Sequence, residues 1–196
     1  MFYIYKWGDA EISFPVVIVG GLDRFSPNKA RQDAKYIDTF TNCKVENLPE
    51  ALHGAAAVDR IICGGILHSE LLATYPQSTC IMLNEWGHWI NISSMLEARA
   101  DFTLSKINKD IIAIGGFSRP ITNGTLGYRA IYSVESLSLN ADNGWRFRKN
   151  SPTYLLRHCT IQLNSSHLMV IGGSQGNEVN LIKNNQYKSM VLKYVF

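Results

Sequence analysis

Residues 110–118 read DIIAIGGFS: an acid, four apolar residues and then two glycines. Alone, such a stretch could open a phosphate-binding loop or close a buried strand. It decides the fold because it recurs. VVIVGG ends at Gly21, RIICGG at Gly65, IIAIGG at Gly116 and LMVIGG at Gly173. The first glycines of the pairs (Gly20, Gly64, Gly115, Gly172) stand 44, 51 and 57 residues apart. Self-similarity at that period marks a repeat architecture in which each unit is one supersecondary structure.

Other markers move in step. Fifteen residues beyond each second glycine lie Tyr36, Cys80, Ile131 and Lys188, within or opening YIDTF, CIML, IYSVESLSL and KSMVLKYVF. Aromatic and branched residues of this kind suit a pleated, half-buried surface. Trp89 stands 26 residues before the next glycine pair and Trp145 stands 27 before its own, with Cys43 in the corresponding slot of the first unit. A basic residue (His53, Arg99, Arg157) precedes each later glycine strand by 11, 16 and 15 residues. Each unit therefore predicts four strands. In the clearest one they span 100–106, 110–114, 131–139 and 145–148, with a tight turn at 108–110. The opening FYIYKW is expected to supply the first strand of the first unit. No amphipathic helical period of useful length appears, so the chain reads as all-β. Four antiparallel strands repeated at this spacing predict a β-propeller.

The diglycine after an apolar strand, the tryptophan upstream and the stretches LPEALH and MLEAR together resemble the kelch-repeat family. The segment WINISSMLEARADFTLSKINKDIIAIGG, residues 89–116, is the best match. The resemblance implies a kelch-type β-propeller of about four blades of four antiparallel strands, at approximately 1–47, 48–94, 95–150 and 151–196, with the last stopping in its third strand. Kelch propellers close with more blades than four, so the expectation is one incomplete, open domain, a fragment of a larger propeller, that self-associates through its open edges.

Of the 196 residues, 46% are apolar and 18% charged, which is the balance of a folded globular chain. A net charge of +3 without basic runs predicts neither nucleic acid nor a membrane surface as partner. No apolar run is long enough for a membrane helix, and MFYIYKWGDAE is too short in its apolar part for a secretory signal. A cytoplasmic location is the expectation, although the sequons at Asn91, Asn123 and Asn164 leave an extracellular parent open. Cys43, Cys63, Cys80 and Cys159 form no CxxC pair and are expected as free, mostly buried thiols, without zinc.

None of the glycine pairs continues into GxxxxGK[ST] or GxGxxG, so they are expected to be structural, permitting close backbone approach and a turn. Trp89 and Trp145 are expected to pack between units. For His53, Arg99 and Arg157 the resemblance leaves two roles, a donor to neighbouring backbone carbonyls or a contact for an acidic ligand. Connections after the glycine pairs share a face with those between units, and they carry Arg24, Phe25, Tyr75, Arg119, Tyr128 and Arg129. Arginines and aromatics of this kind are enriched at binding hot spots. Together with Arg99 and Arg157 they are the candidate partner contacts. The resemblance implies a non-catalytic protein-interaction module without cofactor, such as a substrate-recruiting adaptor of a ubiquitin ligase, or alternatively an actin-binding protein. Copper radical oxidases are built on similar blades, but His53, His68, His88, His158 and His167 follow no repeated spacing that would converge on a metal.

Overall fold

The computed structural model describes residues 3–5, 17–23, 29–36, 45–67, 75–118, 121–122, 125–126, 129–140, 143–173 and 191–195. Among them there is no helix, and the principal strands fall into four antiparallel sheets in chain order. The third sheet runs Thr103–Ile107, Asp110–Ile114, Val134–Ser138 and Trp145–Phe147, each strand pairing with the next. The second runs Ala56–Val58, Ile61–Cys63, Cys80–Leu83 and Trp89–Ile92 in the same order. In the first, Tyr3–Tyr5, Val17–Val19 and Ala34–Tyr36 pair in sequence; in the fourth, Cys159–Asn164, His167–Ile171 and Val191–Val195 do.

Local chemistry sets the hairpins. Asp59 and Asn108, the residue types that best tolerate a left-handed backbone, open the first turns of the second and third sheets at φ 50° and 54°. The glycine strands are apolar on both faces because both faces are covered. Ile111 and Ala113 join a core with Ile61, Cys63, Met95 and Phe102 between the second and third sheets, while Ile112 and Ile114 join Leu155, Leu168 and Val170 between the third and fourth. A third core, with Val17, Val19, Leu48 and Ile62, lies between the first and second.

Register aligns the units residue by residue. The residue before each glycine pair is opposite the first residue of its sheet, as Tyr3↔Val19, Ala56↔Cys63, Thr103↔Ile114 and Cys159↔Ile171. Four residues ahead of these first strands stand Leu52, Arg99 and Leu155. Their carbonyls accept hydrogen bonds from the N–H groups of Gly21, Gly65 and Gly116 in the preceding sheet, at 2.9, 2.9 and 2.6 Å. The equivalents of Arg99 are therefore Leu52 and Leu155, and the expected match of His53, Arg99 and Arg157 is corrected. Counting back from the glycines failed because the first hairpins differ in length. Arg157 instead matches Gly54 and Asp101, and all three adopt positive φ, at 54°, 66° and 51°.

The glycine pairs are structural for the expected reason, with a more specific crowding partner. A Cβ on Gly64 would lie 2.4 Å from the Arg99 carbonyl oxygen, and one on Gly115 would lie 2.3 Å from that of Leu155. Both residues are also left-handed, so only glycine lets the next sheet's entry segment approach. Trp89 and Trp145 pack in the cores and also donate from Nε1 to the carbonyls of Glu46 and Ser93, at 2.9 and 2.8 Å. Each ties its sheet's last strand to the segment that enters the same sheet.

The expectation of free thiols is overturned at two positions. Cys63 and Cys80 are direct cross-strand partners, fully buried, with Cα atoms 4.1 Å apart, and they form a disulfide. A spacing of 17 residues says nothing until register places the two side chains opposite one another. Cys159 is free, but it is exposed rather than buried; Cys43 lies outside the described residues.

Candidate functional site

In each sheet the strands alternate direction, so the connection after the glycine pair and the segment linking one sheet to the next emerge at the same end. This end is the connection face. In the third sheet the connection continues as a ribbon in which Phe117–Ser118 pair with Arg129–Ala130 and Ile121–Thr122 pair with Thr125–Leu126. At its base Arg129 donates to the Glu97 carboxylate at 3.0 Å, and both residues remain partly open to solvent. Leu96 and Tyr132 are exposed nearby in sequence, and Tyr75 closes the second sheet's connection with 46% of its surface exposed. Arg24, Phe25, Arg119 and Tyr128 lie outside the described residues.

Beneath this face the linker into the third sheet holds a buried charge network. Arg99 and Glu135 are both fully buried and form an ion pair through Arg99 Nη2 and Glu135 Oε1. Arg99 Nη1 donates to the carbonyls of Gly115 and Ser133 at 2.9 and 3.1 Å, and Nη2 donates to Ser133 Oγ at 3.0 Å. The Glu135 carboxylate also accepts the backbone N–H groups of Leu96 and Glu97, at 2.6 and 3.1 Å. Burial pulls the Arg99 guanidinium below the usual arginine range, and the charge of Glu135 opposes that pull. Arg99 thus takes the first of its two possible roles, donor to neighbouring carbonyls, and presents no surface to a partner. Glu135 escaped sequence reasoning. Its signal was the one charged residue in the strand-like run IYSVESLSL, where a charge survives burial only with a partner.

Arg157 is exposed on the fourth sheet's entry segment. Its Nε donates to Asp101 Oδ2 at 2.7 Å, and its backbone N–H to the Asp101 carbonyl at 2.9 Å, while the Asp101 N–H donates to the Gly54 carbonyl at 2.8 Å. These three left-handed residues form a backbone relay across the second, third and fourth sheets. Beside them, a cleft of about 260 Å³ opens among the first strands, lined by Ala56, Phe102, Leu104, His158 and Thr160. The His158 Nε2 bonds with Thr103 Oγ1 at 2.9 Å, and its Nδ1 is buried with no partner among the described residues. Burial pushes this imidazole down to about 4, so it is neutral at pH 7.

No family model matches this chain, and no curated protein does. Among solved structures it is similar to that of YjhT, with 15% identity and a TM-score of 0.63 over 98% of this chain. The match spans 64% of the YjhT chain, so this sequence covers less than two thirds of its neighbour's length. At that identity the likeness bears on fold alone. The chain is an all-β, propeller-like series of antiparallel meanders.

Proposed function

We propose that the chain is a non-catalytic protein-interaction module, built as a kelch-type propeller of about four blades, that binds a protein partner through its connection face. The observation that carries this reading is the set of exposed arginine, tyrosine and leucine side chains on the connection face. Arg99 and Arg157 are engaged by Glu135 and Asp101 in holding sheets and linkers together. Leu96, Tyr75 and Tyr132, with Arg129 paired to Glu97, keep exposed side chains on the segments at the connection face. Loops on a rigid scaffold are where binding residues concentrate, and exposed arginines and tyrosines supply much contact energy. A substrate-recruiting adaptor is the form of this function that the kelch resemblance favours.

The test is comparative capture by the purified chain followed by mass spectrometry. Partners held by the wild type should be lost together in a Tyr75→Ala/Arg129→Glu variant. They should be kept by Lys109→Glu, which changes a charge at the opposite ends of the strands. A partner set indifferent to the first variant, or sensitive to both equally, would reject the connection face as the binding surface.

A further inference from the structure

The aligned repeats show what is missing from the second sheet. Leu48, Pro49, Glu50, Ala51 and Leu52 occupy the positions of Met95, Leu96, Glu97, Ala98 and Arg99, and Ile81 occupies that of Glu135, since Ile62↔Ile81 matches Ala113↔Glu135. The buried Arg–Glu pair of the third sheet is thus Leu52 and Ile81 in the second. Pro49 fits the exchange. Its counterpart Leu96 gives Glu135 a backbone N–H, whereas proline has none and isoleucine accepts none.

The substitution leaves space. Both replacing side chains are shorter than an extended arginine, and a cavity of about 420 Å³ lies there, with Leu48, Leu52, Ile62 and Ile81 among its walls and Gly64 and Thr79 at its lining. Gly64 and Thr79 are the equivalents of Gly115 and Ser133, whose carbonyls take hydrogen bonds from Arg99. Leu52 brings no donor to them. Glu50 is the one charged residue among those lining the cavity. Its counterpart Glu97 lies 3.9 Å from the Arg99 guanidinium, so the second sheet keeps this acid and has lost the base.

We infer that this cavity is a binding site for a guanidinium group on an alkyl stem, the side chain of an arginine presented by a protein partner. The apolar walls suit the stem. The carbonyls of Gly64 and Thr79, the Thr79 hydroxyl and the Glu50 carboxylate match the fork of donors, as their equivalents do for Arg99 within the chain. The site rests on the interaction-module reading only for the origin of the arginine.

The probe is Nα-acetyl-arginine methylamide, titrated into the isotope-labelled chain and followed by amide NMR shifts. Saturable shifts should cluster at Gly64, Gln77 and Thr79. The citrulline analogue, uncharged but of the same shape, should bind roughly tenfold more weakly, as the loss of one charge-assisted hydrogen bond implies. Glu50→Gln should weaken the arginine probe by roughly threefold, a small effect because the acid sits at an exposed rim. Leu52→Arg/Ile81→Glu, which rebuilds the third sheet's pair in the second, should fill the cavity and abolish binding. Absence of saturable shifts, or equal binding of arginine and citrulline probes, overturns the inference whether or not the rebuilt variant folds. Protein capture that depends on Tyr75 and Arg129 while the probe fails to bind would reject this site alone. Probe binding without any captured partner would reject only the broader reading.

Discussion

The buried pair at the linker into the third sheet gives the sharpest test of the physical reasoning. Arg99→Leu would leave Glu135 fully buried, its charge opposed only by two backbone N–H groups, from Leu96 and Glu97. Removing one member of a buried ion pair costs about 3–5 kcal/mol, because the remaining charge has lost water and gained nothing. The variant also deprives the Gly115 and Ser133 carbonyls of their guanidinium donor, so the upper part of that range applies. At this chain length a loss of that size lowers the melting temperature by about 10 °C. Arg99→Leu/Glu135→Ile copies the second sheet's own Leu52 and Ile81. It should recover most of the loss, falling short by about 1–2 kcal/mol because the Leu96 and Glu97 N–H groups then lack their acceptor and the Gly115 and Ser133 carbonyls still lack the guanidinium. Urea unfolding followed by tryptophan fluorescence of the wild type, Arg99→Leu, Glu135→Ile and the double variant would measure the four stabilities and the coupling between the two positions. A single variant costing under about 1 kcal/mol, or a double variant no better than the single, would refute the argument that the pair is a charge-compensation device.

Other outcomes follow from the same structure. Gly115→Ala should cost several kcal/mol, since its Cβ would meet the Leu155 carbonyl at 2.3 Å, whereas Gly172→Ala, with no described atom within 4 Å, should cost only the left-handed strain of about 1–2 kcal/mol; calorimetry on both variants would show the difference. His158 is held down to about 4 in the folded chain, so the unfolded chain binds its proton first and stability should fall as pH drops from about 6.5 towards 4. The loss should total up to about 3 kcal/mol, and denaturant midpoints across that range should be flatter in His158→Phe, the residue found at the equivalent Phe102. Reduction of the Cys63–Cys80 bridge should destabilise the chain by about 3 kcal/mol, the figure for a loop of this length. Before reduction, Cys159 should react with a thiol reagent while Cys63 and Cys80 stay silent even in denaturant, until the bridge is reduced.

The repeating glycine pairs and the strands on either side of them were legible in the amino-acid order, because left-handed turns and two-faced burial each demand particular residue types. The third sheet's strands at 103–107, 110–114, 134–138 and 145–147 lie close to where periodicity put them, and FYIYKW does supply Tyr3–Tyr5. The site was less legible. Arg99 could be picked out as important, but not as buried, since a guanidinium serves carbonyls and partners equally well in sequence. Only register showed that it faces Glu135, that Arg157 belongs with Asp101 and Gly54, and that Cys63 lies opposite Cys80.

Short-range patterning therefore determined which residues form strands, where they turn, and that the unit repeats. The tertiary structure decided which positions in different units are equivalent, and with that which charges are spent inside and which stay on the connection face. The physical reason is that a strand's period of two residues and a glycine's positive φ are local properties. Pairing across sheets depends on hairpin lengths that vary from unit to unit, and nothing in one unit's sequence records its neighbour's offset.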